Sequence, residues 1–332
     1  MKVAVIGAGS WGTALAIYFA RVGHRVGLWA RESEVVEGIN RSRRNPLFLP
    51  DFEFPDGVEA TGRLAAAVDG SEAIVWVVPV QVSRPVLAEI RRSLPPSVAV
   101  VSASKGIEVA TLQRMDEVVF DELAIAPERF VVLSGASFAK EVAAHLPTAA
   151  VLAGRDRDLV RDLQRSFSSP AFRYYGSSDV IGVELAGALK NVIAIAAGMV
   201  AGMGLGHNTL AALLTRGLHE ITRLGVALGG EAETFRGLAG MGDLVVTCTG
   251  GLSRNRQVGE RLGQGDTLTS AQAGREVAEG VPTARAATEL AKRHGVEMPI
   301  TFMVDAILAG SISVRDALTA LMTRELKDEA AL

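Results

Sequence analysis

Six residues, Gly7-Ala-Gly9-Ser10-Trp11-Gly12, separate the apolar run Lys2–Ile6 from the helix-forming run Thr13-Ala-Leu-Ala16. Few other spacings restrict a fold so strongly. Gly7 permits a tight turn out of a strand, Gly9 lets the backbone approach a pyrophosphate, and Gly12 lets the following helix pack closely on the strand. The helix start then offers free N–H groups and partial positive charge to phosphates, with Ser10 and Trp11 at its opening. A glycine-rich turn that binds nothing would use the same residues. The strand before and the helix after are the context that favours a dinucleotide.

The second apolar run, Arg25–Trp29, ends in Ala30-Arg31-Glu32. An acid at this corner suits the ribose hydroxyl of NAD(H), whereas an arginine suits the 2′-phosphate of NADP(H). Arg31 followed at once by Glu32 leaves both open, and Arg31 as a solvated surface residue is a third reading. NADP(H) is expected to bind at least as well as NAD(H).

The first half of the chain alternates short β-branched runs with helical patterns, which argues for a parallel sheet wrapped by helices. Strands are predicted at Val3–Ile6, Arg25–Trp29, Ala73–Val78, Val98–Ser102, Phe130–Leu133, Ala149–Leu152 and Phe172–Tyr175. Several are continuous apolar runs, as in strands covered on both faces. From about Asp179 a helical period takes over, with Ser178 the expected N-cap and Asp179 in the first turn. One helix is expected over Asn208–Leu228, ended by Gly229-Gly230, and others over Arg254–Leu262, Ser270–Ala278, Thr283–His294, Ile300–Ala309 and Asp316–Thr323. The tail from Leu326 to Leu332 is expected to fray. The fold class is therefore α/β: a Rossmann-type, mostly parallel sheet over residues 1–180, then an all-helical domain over residues 181–332.

Bulk properties agree. At 332 residues the chain can bury two cores. A net charge of −3 gives no reason to expect nucleic acid or an anionic membrane as a partner. Cys248 is the only cysteine, so no intrachain disulfide can form and a reducing compartment fits. The N-terminal apolar run breaks into glycines, unlike a signal peptide. The longest apolar stretch, Val192–Gly206, is shorter than the roughly 20 residues of a spanning helix and is expected to be a core helix and turn. No integral membrane segment and a cytoplasmic location follow. The five histidines are scattered, without metal-site spacing.

Chemistry concentrates elsewhere. Lys190 lies in Val183-Glu-Leu-Ala-Gly-Ala-Leu-Lys-Asn-Val-Ile-Ala-Ile-Ala-Ala-Gly-Met199, a stretch almost free of charge. An ammonium on such a helix loses hydration, which lowers its pKa and readies it for proton transfer. Only six of the 34 basic residues are lysines, which favours a task that a guanidinium cannot perform. The alternative is a lysine snorkelling to water. Lys105 follows an apolar strand, where side chains face the ligand crevice of such sheets, although surface lysines are common. Gly135 and Ser137 turn from strand to helix and can receive a polar ligand or simply cap the helix. Asp243, among glycines and apolar residues, needs a cation or hydrogen bonds; Lys190 is the natural partner, and capping a local turn the alternative. Ser253-Arg254-Asn255 offers hydroxyl, guanidinium and amide at a helix start, a phosphate site unless Ser253 is only an N-cap.

Together these segments resemble the prokaryotic-type NAD(P)-dependent glycerol-3-phosphate dehydrogenase family. The resemblance runs through Gly7-Ala-Gly-Ser-Trp-Gly, Asn45-Pro-Leu-Phe-Leu-Pro50, Ser104-Lys-Gly-Ile-Glu, Leu133-Ser-Gly, Val183–Asn191, Gly237-Leu-Ala-Gly-Met-Gly-Asp, Ser253-Arg-Asn and Glu279-Gly. It implies reversible hydride transfer between NAD(P)H and dihydroxyacetone phosphate, giving sn-glycerol 3-phosphate for glycerophospholipid synthesis. Lys190 is then the general acid–base, with Lys105 and Asp243 beside it. Substrate contacts fall on Lys105, Gly135, Ser137, Lys190, Asp243, Ser253, Arg254 and Asn255. Contacts to NADP(H) or NAD(H) fall on Gly7, Gly9, Ser10, Trp11, Gly12, Arg31, Lys105, Ala139, Arg254, Val277 and Glu279. The helical domain is implied to be of the 6-phosphogluconate dehydrogenase type. A phosphorylated small molecule is the expected partner, with a homodimer compatible. Ala136 stands where the family carries proline, His207 where an acid is common, and Gly250-Gly251 where a more constrained pair is usual. The rival of the same architecture is a reductase of a small carboxylate, of ketopantoate or hydroxyisobutyrate type. A non-enzymatic nucleotide sensor would have no use for Lys190, Asp243 and Arg254 together.

Overall fold

The computed structural model describes residues 1–95, 97–274, 277–326 and 328. It divides into two compact units, Met1–Lys105 with Arg114–Val183, and Gly106–Gln113 with Glu184–Leu332. No local pattern in Gly106–Gln113 signals its grouping with the later residues.

The first unit is built on eight strands: β1 (Lys2–Ile6), β2 (Arg25–Trp29), β3 (Val58–Thr61), β4 (Ala73–Trp76), β5 (Ala99–Ser102), β6 (Phe130–Ser134), β7 (Thr148–Gly154) and β8 (Phe172–Ser177). Their order is β3-β2-β1-β4-β5-β6-β7-β8. All neighbours are parallel except β6 and β7. β4, β5 and β6 are buried along their whole length, which explains their unbroken apolar sequences. The pattern missed β3, an edge strand of four residues that buries only Val58 and Ala60. The chain reverses between β1 and β4, so the carboxyl end of β1, where the glycine turn begins, lies at the switch point where such sheets take ligands.

Val180–Gly202 is one helix of 23 residues that belongs to the second unit from Glu184 onward. The length argument that the apolar stretch is too short to span a membrane therefore fails. The helix is instead a core element because 94% of its most apolar window is buried in the protein. Its N-cap is Asp179, not Ser178: Asp179 Oδ1 accepts from Gly182 N at 2.8 Å. Two glycine pairs govern its packing on the helix Arg254–Gly263. A Cβ on Gly198 would lie 1.9 Å from Arg256 O, and one on Gly259 would lie 1.9 Å from Ile195 O. Gly202 and Gly263, one turn further along, are just as tight against Glu260 O (2.1 Å) and Met199 O (2.5 Å). The helices cross backbone on backbone, and any side chain there would push them apart.

The helix expected over Ser270–Ala278 spans only Leu268–Ala271. Gly274, at φ +136°, takes the chain out of helical space. Residues 275 and 276 of that expected helix, and 327 and 329–332 of the tail expected to fray, lie outside the described residues.

Glu220 is the second anchor of this unit. It sits at 2% exposure on the helix His207–Ala227 and reaches the start of the helix Pro299–Leu308. Pro299 lacks an N–H, and no side chain caps this helix at Met298. Glu220 fills that role by accepting from Ile300 N (2.7 Å), Thr301 N (3.1 Å) and Thr301 Oγ1 (3.2 Å). Burial pushes its carboxyl up to about 7 against the pull of these bonds. A raised folded-state value means that this group's stabilising contribution is full below about pH 4.5 and is lost as pH rises through about 7. Glu220→Gln should flatten the stability–pH slope in this window by roughly 2–3 kcal/mol, measured by denaturant unfolding between pH 4.5 and 8. A mutant slope equal to that of the parent would contradict the assignment.

Candidate active site

Gly7 leaves β1 at φ +113°, and a Cβ on Gly12 would lie 1.8 Å from Gly7 O. The turn is thus closed onto the first turn of the helix Ser10–Arg21. A Cβ added at Gly9, the N-cap, would meet nothing within 4 Å. No side chain caps this helix and no acid stands in its first turn. The N-terminus is therefore left for an external anion, and the turn fits a dinucleotide pyrophosphate. Trp11 packs partly against the core, and among the described residues its buried Nε1 has no hydrogen-bond partner.

Asn45 pins this turn from outside, a role that the sequence did not reveal. It is fully buried; its Nδ2 donates to Ala8 O (2.9 Å) and Thr13 Oγ1 (2.8 Å). Its Oδ1 accepts from Leu47 N and Phe48 N, both at 3.1 Å. Both donors and both acceptor sites of the amide are thereby used. The signal was present in Asn45-Pro-Leu-Phe-Leu-Pro50, but nothing local connects it with Ala8, 37 residues away.

At the carboxyl end of β2, Arg31 pairs with Glu32, and its side chain is 80% exposed. Beyond β5 and β6, three expected residues meet. Lys105 Nζ donates to Gly135 O at 3.2 Å, and Ser137 Oγ donates to the same oxygen at 3.0 Å. Gly135 holds φ +146°, and a Cβ there would lie 2.8 Å from Ala150 Cα. Ala139 opens the next short helix, Ala139–Ala143.

The second unit holds the charged centre. Lys190 is 5% exposed, which removes the snorkelling alternative. Its Nζ donates to Asp243 Oδ1 and to Thr247 Oγ1, the latter at 2.8 Å. Asp243 is 1% exposed. It enters the helix Asp243–Thr249 from a π-helical turn, Leu238–Gly242, closed by Gly242 N donating to Gly237 O at 3.1 Å. Thr247, one turn on, donates to Asp243 O at 2.6 Å and so fixes the carboxylate's helix while receiving the lysine. Neighbouring Cys248 is held as a neutral thiol: burial pushes it up to about 12, with Lys190 pulling down and Asp243 pushing up. Thiolate chemistry is excluded there.

Asn255 Nδ2 donates to Asn191 Oδ1 at 3.0 Å, and its Oδ1 accepts from Gly280 N at 2.9 Å. Ser253 caps the helix Arg254–Gly263, accepting from Arg256 N at 3.2 Å. Arg254 Nη2 donates to Ala273 O at 3.0 Å, while its buried Nε finds no hydrogen-bond partner among the described residues. Glu279 stands at the N-cap of Gly280–Arg293, and Val277 is 57% exposed. Thr247 and Asn191 were missed in the sequence. Thr247 could have been found from its i+4 spacing to Asp243, had that short helix been foreseen.

Family models described as NAD-dependent glycerol-3-phosphate dehydrogenase N-terminus and C-terminus match residues 2–160 and 179–319. A curated relative from Nitratidesulfovibrio vulgaris, named glycerol-3-phosphate dehydrogenase (NAD(P)+), is 52% identical over 330 residues, covering 99% of this chain and 100% of its own. A crystal structure of glycerol-3-phosphate dehydrogenase from Coxiella burnetii superposes with a TM-score of 0.93 at 40% identity, over 97% of this chain and 99% of that one. A ketopantoate reductase from Ralstonia eutropha, at 17% identity and a TM-score of 0.62 over 96% of this chain and 100% of that one, shares the fold alone.

Asn45→Asp keeps the shape of the pinning residue but cannot donate to Ala8 O and Thr13 Oγ1, and it buries a charge. The substitution should cost on the order of 2–4 kcal/mol in unfolding experiments. It should also weaken dinucleotide binding in a calorimetric titration. Unchanged stability and binding together would show that Asn45 does not hold the turn.

Proposed function

The chain belongs to the NAD-dependent glycerol-3-phosphate dehydrogenase family, and we propose that it interconverts dihydroxyacetone phosphate and sn-glycerol 3-phosphate with NAD(P)H. NAD(P)H supplies the hydride and NAD(P)+ takes it back. The observation that carries the residue roles is the buried amine of Lys190, held by Asp243 and Thr247. As an ammonium, Lys190 protonates the ketone oxygen while the alkoxide forms, and as an amine it removes that proton in reverse. Asp243 orients the amine and balances its charge. Lys105 polarises the same oxygen, with Gly135 and Ser137 at its side. Ser253, Arg254 and Asn255 hold the phosphate, so that binding energy remote from the reacting carbon fixes its geometry.

Gly7, Gly9, Ser10, Trp11 and Gly12 carry the pyrophosphate. Arg31, Ala139, Val277 and Glu279 complete the dinucleotide contacts, together with Lys105 and Arg254. NADP(H) binds at least as well as NAD(H). A cytoplasmic location, supply of glycerophospholipid synthesis and a homodimeric state belong to the same proposal and rest on the family. The small-carboxylate reductase is not favoured, because its similarity extends to the fold only.

Two substitutions test the roles. Lys190→Ala should lower turnover by on the order of a hundredfold or more, while dinucleotide titration stays near normal. Lys190→Arg preserves the charge facing Asp243 but retains its proton, and should be similarly inactive. Turnover surviving in Lys190→Arg would move the proton donor elsewhere. Arg254→Ala should raise KM for dihydroxyacetone phosphate far more than for unphosphorylated dihydroxyacetone. Equal losses on the two, read from NADPH absorbance, would remove the phosphate site from Arg254.

A further inference from the structure

The corner after β2 carries a cation and an anion in adjacent positions, and their pairing bears on which dinucleotide is accepted. Trp29 O accepts from Gly7 N at 3.2 Å, so this corner lies beside the glycine turn at the same edge of the sheet. Ala30 N donates to Thr61 O at 3.1 Å and Trp29 Nε1 to Gly62 O at 3.2 Å, which fixes the backbone leading into Arg31. Glu32 Oε1 accepts from both Arg31 Nη2 (2.8 Å) and Arg31 Nε (3.2 Å). Glu32 is also the N-cap residue of the helix Ser33–Ser42, yet its side chain makes no capping bond. Its carboxylate is therefore committed to Arg31 alone among the contacts at this corner.

We propose that Glu32 is a specificity-determining residue that keeps the dinucleotide site open to both cofactors, a proposal that rests on the dinucleotide reading above. A guanidinium has five N–H donors, and Glu32 engages two. The three that remain can receive a 2′-phosphate, so NADP(H) binds through Arg31, but against the charge of the adjacent carboxylate. NAD(H) has no phosphate to meet Arg31, and its ribose hydroxyl donates to Glu32 instead. The side chains are 80% and 35% exposed, and an exposed pair of this kind is weak. A ligand group can therefore displace either partner. Arg31 by itself would select the phosphate, and Glu32 by itself would select the hydroxyl. Side by side they discriminate little.

The test is calorimetric titration of NADPH and NADH, without substrate, into the full chain and its Glu32→Ala and Arg31→Gln variants. Neither residue is buried, so folding is not at stake. Glu32→Ala should tighten NADPH and weaken NADH, shifting their Kd ratio by about tenfold toward NADPH. Arg31→Gln should shift the ratio by a similar factor toward NADH. A Glu32→Ala ratio within about twofold of the parent, or equal tightening of both cofactors, would overturn the role of Glu32. Failure of the parent chain to bind either cofactor would instead overturn the dinucleotide reading.

Discussion

The helical unit depends on one contact, the crossing of Val180–Gly202 on Arg254–Gly263 without any intervening side chain. Gly198 and Gly202 on one helix, and Gly259 and Gly263 on the other, bring each backbone within reach of the opposite carbonyls. Such proximity has consequences further along both helices. Lys190 and Asn191 lie two turns before Gly198, and Asn255 lies one turn before Gly259. Because the helices approach so closely, two short amide side chains suffice to bridge them, as Asn255 does to Asn191 at 3.0 Å. Longer side chains at the crossing would separate these groups. The glycine turn of the sheet unit obeys the same rule, since Gly12 lies against Gly7 O where a methyl cannot enter.

On that frame the second unit carries a feature that is poor for stability. A buried lysine–carboxylate pair regains in Coulomb energy about what it loses in hydration, and an apolar pair of similar volume is often as stable. Thr247 completes the hydrogen bonds that such a pair requires. On the proposed mechanism the pair serves proton transfer rather than stability. The same surroundings keep Cys248 protonated, so one dry region holds a charged amine and an inert thiol. Ser253 shows that the alternatives weighed from the sequence were not exclusive. It caps its helix, and the first turn it caps also presents Arg254 and Asn255.

Legibility followed the range of the interactions. The strands β1 and β2 and the Arg254 helix were readable because period and punctuation are local. β3 was not, since a four-residue edge strand buries too little to leave a pattern. The helix expected through Ala278 ends at Ala271, short of Gly274, whose φ of +136° lies outside helical space. Lys190 and Asp243 were each conspicuous as charges in apolar sequence, whereas Thr247 looked like any threonine.

The sequence by itself determined most of the strands and the longer helices, where a glycine-rich turn joins β1 to the first helix, and which charged residues lie in apolar surroundings. These depend on backbone geometry and hydration over a few residues. Only the tertiary structure decided that Asn45 holds a turn 37 residues earlier, and it settled the choice left open for Asp243, which meets Lys190, 53 residues before it, as the sequence suggested. It also decided that Glu220 caps a helix 80 residues away. Each of these buried groups requires a partner, but the requirement does not say which one. Packing chooses it by bringing distant backbones close enough for a single hydrogen-bond geometry.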